Sequence, residues 1–266
     1  METKIINKPS GRKTSFIILI IIIFSFILYY SIMSMMGPGQ KLAAIKNEFG
    51  TKPAENNVVD EQIYSDTAYL KLLKEKAYLQ SRVAMAETDS IYLTINLADS
   101  TANIEISGVV VHKAKMSCLT TSKILAKGNE NIILSMLSSP FTVASAKSTI
   151  QKEPVSIKMA PKDTSEYIPS IMPDTSITEP VNYILEMTNG TRIYVYQLEK
   201  EKPGYRINAF IFDLKDRLHN TWNSLKCVAL FKVPEYHLFI KMWLPRADAK
   251  IIYRALPKNG QIAISG

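Results

Sequence analysis

Three histidines and two cysteines are the side chains best suited to nucleophilic or metal chemistry: His112, His219, His237, Cys118 and Cys227. A catalytic thiol needs a base within hydrogen-bond reach, and a metal needs several converging ligands. Cys227 with His237 or His219 is the pairing that could supply a nucleophile and a base, but sequence separation gives it no geometry. His112 falls at an expected strand end, His219 on a helix face and His237 in a strand, where a histidine is ordinarily structural or exposed. No CxxC occurs, and the cysteines lack nearby His or carboxylates at metal spacing, which argues against zinc. Walker, GxGxxG, GxSxG and HExxH motifs are all missing from the sequence. The expectation is therefore no catalytic, cofactor-binding or metal-ligating residues, no cofactor, and a chain that binds and is not an enzyme. The competing class is an enzyme acting on peptidoglycan or another envelope substrate.

One segment decides where any such residues would work. Residues 15–36 form an apolar run without charge, Gly or Pro. Its length suits a bilayer core, which needs about 20 residues of helix. Lys4, Lys8, Arg12 and Lys13 precede it, while Gly37-Pro38-Gly39 and Lys41 follow. Basic residues stay on the cytoplasmic side, so the expectation is a single-pass inner (plasma) membrane protein. Its N-terminus would be cytoplasmic and its C-terminal part periplasmic or extracytoplasmic. Tyr29 and Tyr30 lie toward the outer end, where aromatics favour the interface. A cleaved signal sequence is the alternative, but the run is longer than a signal h-region and ends Ser-Met-Met-Gly-Pro.

The remaining composition is globular, with 47% hydrophobic residues and 10 glycines in 266. Net charge is +8, and the four basic residues before the apolar run account for part of it. The rest is spread along the chain, which permits attraction to anionic lipid or wall polymer. Blocks of Lys and Arg interleaved with aromatics do not occur, so nucleic acid is not an expected partner. The two cysteines could form an extracytoplasmic disulfide or be separate buried thiols.

The expected organisation is a tail at 1–14, the membrane helix at 15–36, a linker and juxtamembrane helix at 37–89, and a β-rich domain at 90–266. Residues 41–59 read as linker. Residues 60–87 lack Pro and Gly and carry helical spacing, with Asp66 placed to cap a main segment starting at Thr67. Ile63, Leu70, Leu73, Ala77, Val83 and Ala84 would face inward, with Leu72 and Leu79 on a flanking stripe. That helix either packs on the domain or pairs with another copy, making self-association through 60–87 an option. From Ser90 the period becomes two, giving a hairpin over 91–111 around Asp99-Ser100-Thr101. Residues 132–137 and 141–143 are short apolar pieces. Residues 151–180 hold five prolines and read as a long irregular loop. Asn189-Gly190 between two apolar runs predicts a hairpin whose turn residues both have φ > 0. A helix over 210–225 should bury Phe212, Leu218, Trp222 and Leu225. Strands at 227–233 and 236–244, a helix at 246–256 and a final strand at 261–264 complete a β-rich mixed α+β class.

The stretch from Leu244 through Ile264 resembles the end of the L,D-transpeptidase (YkuD-like) catalytic domain. Asp248, Ala249, Tyr253, Pro257 and Gly260 occupy similar places, and the 91–111 hairpin is similar to that family's opening strands. Together they cover about a fifth of the chain. The resemblance implies a Ser-His-Gly-Cys strand followed by an Arg. Aligned without gaps, the family's nucleophilic Cys falls on Lys241 and its Arg on Trp243. Shifted by two residues, His237 and Lys241 take the His and Arg places, but Phe239 stands where the Cys should be. A thiolate nucleophile is then missing, so the resemblance implies a degenerate domain, a pseudoenzyme. The expected role is a binding or scaffold subunit of the cell envelope. Its partners would be the lipid bilayer through 15–36 and envelope proteins or peptidoglycan.

Overall fold

The computed structural model describes residues 11–50, 67–152, 179–199 and 203–266. Among them the protein is mixed α/β, and it divides into two compact units. One comprises Met1–Ala44 with Asp216–Tyr236, the other Ile45–Lys215 with His237–Gly266.

The first helix, α1 (Gly11–Phe49), carries the apolar run. Among the described residues it alone is long and apolar enough to cross a membrane. Its side chains from Ser15 through Leu28 are exposed. The helix does not stop at Gly37-Pro38-Gly39, and residues 41–49, expected as linker, extend it. Pro38 removes one backbone donor, and the following Lys-Leu-Ala-Ala-Ile-Lys run has the propensity to carry the helix on. Residues 51–59 of the expected linker, Asp66 and Ile63 all lie outside the described residues.

The last helix of this unit is the second half of α5, which spans Pro203–Ala229 and is longer than the predicted 210–225. The strand expected at 227–233 does not form, because α5 runs into it. Its end is a Schellman-type stop: Lys232 N–H donates to the Cys227 carbonyl at 2.8 Å and Phe231 N–H to that of Val228 at 3.0 Å. Phe231 takes the left-handed position, φ 58°, that glycine usually fills.

The other unit is built on a nine-stranded sheet in the order β3-β2-β1-β9-β5-β6-β7-β8-β4. The strands are β1 (Ile91–Asn96), β2 (Thr101–Ile106), β3 (Val109–Lys115), β4 (Cys118–Thr121), β5 (Phe141–Ser148), β6 (Asn182–Met187), β7 (Arg192–Gln197), β8 (Phe239–Leu244) and β9 (Gln261–Ser265). Two pairings are parallel, β1 with β9 and β7 with β8; the others are antiparallel. Helices α2 (Thr67–Ala86), α3 (Lys123–Lys127), α4 (Glu130–Leu137) and α6 (Arg246–Ala255) complete it. Residues 132–137, expected only as an apolar piece, are most of α4. Its Asn129 cap accepts from Asn131 N–H at 3.1 Å. Most of the expected 151–180 loop lies outside the described residues.

The β1–β2–β3 meander and the β6–β7 hairpin form where the alternation predicted, but the turn with two left-handed residues expected at Asn189-Gly190 occurs instead at Ser107-Gly108. Ser107 (φ 48°) and Gly108 (φ 83°) are both left-handed, the signature of a two-residue type I′ turn between β2 and β3. At Asn189-Gly190 only Gly190 is left-handed, φ 79°. Gly190 N–H donates to the Met187 carbonyl at 2.9 Å, and Met187 N–H to that of Thr191 at 2.8 Å. That is a three-residue loop closed by a glycine bulge. Strand β1 is buried at four successive positions, Tyr92 through Ile95, not only at alternate ones. α2 covers the second face: Tyr92 packs with Met85 and Ala263, and Thr94 Oγ donates to Glu105 Oε1 at 2.8 Å. Arg82 Nη2 reaches Glu105 Oε2 at 2.9 Å from the same helix. The buried line of α2 steps through Ala77, Ser81 and Met85, so Val83 and Ala84, expected inside, are exposed. α6 follows its sequence pattern and buries Ala249, Ile252 and Tyr253.

Candidate binding cleft

The parallel pairing of β7 with β8 sets Arg192 beside Phe239, Tyr194 beside Lys241, and Tyr196 beside Trp243. Side chains alternate across a sheet, so these six share one face, while Ile193, Val195, Ile240, Met242 and Leu244 fill the core on the other. The neighbouring strands extend the rows. β6 adds Glu186 beside Arg192 and Asn182 beside Tyr196, and β4 adds Thr120 beside Lys241 and Cys118 beside Trp243.

The rows interact as cross-strand neighbours do. The Tyr196 and Trp243 rings stack with centroids 5.3 Å apart, and Tyr194 stacks with Tyr196 at 6.4 Å. Lys241 Nζ stands 4.9 Å from the Tyr194 ring centre and 5.7 Å from that of Phe239, within cation–π range. At the other end Arg192 donates through Nε and Nη2 to Glu186 Oε1 at 3.1 and 2.8 Å, and Ser145 Oγ donates to Glu186 Oε2 at 3.2 Å. Partial burial works to raise the Glu186 pKa, but the Arg192 hydrogen bonds and charge outweigh it and hold the carboxyl below its ordinary value.

The first half of α5 roofs the Tyr196 end. The Tyr196 hydroxyl donates to Asp213 Oδ1. Between helix and strands lies a cavity of about 300 Å³ lined by Tyr196, Trp243, Lys241, Asn182, Glu199 and Asp213, with Tyr205, Arg206 and Phe210 at its helical side. That volume is at the low end for ligand pockets and suits one small ring or amino-acid-sized group. The wall is tied down: Gln197 Oε1 accepts from Val181 N–H at 2.8 Å, and Glu199 Oε2 accepts from Arg246 N–H at 2.8 Å, where α6 begins. Asn182 Oδ1 accepts from Gln197 N–H at 3.4 Å, while its buried amide nitrogen has no partner.

No protein-family model, curated protein or solved structure matches this chain.

The residues singled out in the sequence are scattered. His112 Nε2 lies 3.0 Å from Asp248 Oδ1, His219 Nε2 lies 3.2 Å from the Asn223 amide, and His237 Nδ1 lies 3.0 Å from the Gly190 carbonyl oxygen. Both cysteines are free thiols. Cys118 is exposed on β4, against the reading of two buried thiols, and Cys227 is half-buried. His219 and Cys227 sit eight residues apart on one helix, about 12 Å along its axis, beyond proton-transfer reach. Among the described residues, no three His, Cys, Asp or Glu side chains gather as metal ligands would. Lys241 and Phe239, the residues at the nucleophile position in the two alignments, are the ones that meet on the open face of β8. The cleft itself was missed. Its signal was the polar–aromatic alternation Arg-x-Tyr-x-Tyr in β7 and Phe-x-Lys-x-Trp in β8, read only as strand periodicity.

Proposed function

We propose that this chain is a single-pass, membrane-anchored envelope protein that acts by binding. In this reading α1 spans the inner membrane with its N-terminus in the cytoplasm. The β-rich unit stands outside as a scaffold or recognition subunit, with no turnover chemistry of its own. The observation that carries it is the stacked Tyr196–Trp243 pair walling a small cavity with Lys241 alongside. Stacked aromatics flanked by a cation and hydrogen-bonding side chains suit a sugar ring bearing amide and carboxylate groups, which is the chemistry of peptidoglycan. The partnerless Asn182 amide is a donor for such a ligand's carbonyl.

We also propose that the unit is a catalytically degenerate relative of the L,D-transpeptidases, with the face that would hold the thiolate now occupied by Phe239, Lys241 and Trp243. The exposed stripe of α2, with Leu72, Leu79 and Val83 along a shallow groove, is the surface for an envelope partner or a second copy.

One observation favours the enzyme reading: the exposed thiol of Cys118 lies across the strand pair from Trp243. If that thiol were a nucleophile, Cys118→Ser would abolish cellular function at normal abundance and fold. The binding reading expects Cys118→Ser to keep function. Co-purification from detergent-solubilised membranes tests the proposal itself. The intact chain should carry envelope glycan or envelope proteins with it, and the Trp243→Ala chain should not. Equal recovery of nothing from both would remove the cleft from the function. A reporter active only outside the cytoplasm, fused after Gly266, should be active; activity of a cytoplasm-only reporter there would overturn the orientation.

A further inference from the structure

From Ile207 to Trp222, helix α5 is built inside out. In an ordinary surface helix the apolar stripe faces the protein and the polar side faces water. Here Asp213 reaches the Tyr196 hydroxyl, and Asp216 is buried and accepts from the Asn220 amide at 2.9 Å. The apolar residues Ile207, Phe210, Ile211, Leu214, Leu218 and Trp222 are all exposed. At 100° per residue they fall within one arc of about 120° along the helix. Arg206 and Arg217 border that arc on one side, Lys215 and Lys226 on the other. The Lys226 Nζ lies 5.5 Å from the Trp222 ring centre.

Within the unit that contains the apolar run, the segment after α5 is joined to α1. The Phe231 ring meets that of Tyr29 at 6.0 Å. Gly37 approaches the Pro234 carbonyl so closely that a Cβ there would stand 3.0 Å from its oxygen. Leu230 and Phe231, 67% and 81% exposed, continue the apolar surface to that contact.

We infer that α5 lies in the surface of the same bilayer that α1 spans, its apolar arc in the outer headgroup–acyl boundary and its flanking Arg and Lys on the lipid phosphates. An apolar arc bordered on both sides by cations is the pattern of an interfacial helix, whose apolar face enters the membrane by about 5–10 Å. Long basic side chains lie along such a surface while their charged ends reach the headgroups. Continuity with the apolar run selects lipid over a protein partner. The inference rests on α1 spanning the membrane, as proposed above.

The test uses the full chain reconstituted into vesicles of phosphatidylcholine with phosphatidylglycerol. Trp243→Phe leaves Trp222 as the single tryptophan. Lipids brominated near the top of the acyl chain should remove most of the Trp222 emission, and deep-brominated lipids much less. A companion chain carries Ile21→Trp with Trp222→Phe and Trp243→Phe; its emission should be lost to the deep-brominated lipids. Adding Leu214→Glu and Leu218→Glu to the first chain should restore Trp222 emission. Quenching at position 21 with none at Trp222 overturns the inference and leaves the anchor standing. A blue-shifted Trp222 that bromines do not quench means that protein covers the face, and also overturns it. No quenching at either position removes the anchor, and the inference with it.

Discussion

α5 and α6 both flank β7, and they present opposite sides to it. α6 lays Ala249, Ile252 and Tyr253 into the core, with the Tyr253 ring 5.0 Å from that of Tyr183, while its charged residues stay outside. Burial there drives the Tyr183 phenol pKa far above its ordinary value, as expected where an ionised phenolate would have no water. The first half of α5 meets β7 through Asp213 and keeps Ile207, Phe210, Ile211 and Leu214 exposed. Both sequences have an apolar stripe at helical period, but amphipathicity specifies only that something apolar must cover it. For α6 that something is the sheet. For α5 none of the described residues supplies it: Ile207, Phe210, Ile211, Leu214, Leu218 and Trp222 stay exposed.

The sharpest way to break this contrast is to truncate one residue on each stripe. Ile252 is 1% exposed, so Ile252→Ala should destabilise by about 2–5 kcal/mol through lost burial and the cavity left behind. Thermal denaturation of the full chain reads it, and an unchanged melting curve would take α6 out of the core. A smaller effect marks the sheet face that α6 does not cover. Glu186 is held below its ordinary pKa of 4.5, so its pairing with Arg192 contributes fully above that value and is lost as pH falls through the folded value. The pair is partly solvated, so Glu186→Gln should cost less than about 1 kcal/mol at neutral pH. It should cost nothing once Glu186 is protonated; a penalty that persists in acid would contradict the assignment. The smallest change is expected from Leu218→Ser. At 60% exposure, its removal should leave stability in detergent within about 0.5 kcal/mol of the parent. A loss as large as that of Ile252→Ala would mean that α5 is packed after all.

Much of the fold was legible because local signals agreed with their surroundings. The β1–β2–β3 meander, the β6–β7 hairpin, α2 from Thr67, α6 with Pro257 behind it and the last strand each carry their own period or stop signal. Failures came where a distant partner decides. Cys227 and Val228 look like the start of a strand, yet α5 propagates through them and stops only at the left-handed Phe231. Of Phe212, Leu218, Trp222 and Leu225, all expected inside because a stripe is ordinarily buried, Leu218 and Trp222 are exposed and Phe212 and Leu225 are half-buried. The cleft depends on β7 lying parallel to β8, strands joined through 41 intervening residues, 198–238. No period within either strand reveals which residue will stand beside which. Asn189-Gly190 had the right residues for a tight turn, but Asn189 keeps a negative φ and the glycine alone absorbs the bend.

We propose that the Tyr196–Trp243 cleft binds an envelope ligand without turning it over. Co-sedimentation of the purified full chain, in detergent, with isolated peptidoglycan sacculi tests it most directly. The chain should pellet with sacculi, Trp243→Ala and Lys241→Ala should remain in the supernatant though folded, and the recovered wall peptides should be unchanged. Sedimentation indifferent to both substitutions, or cleaved or newly cross-linked wall peptides after incubation, would contradict it.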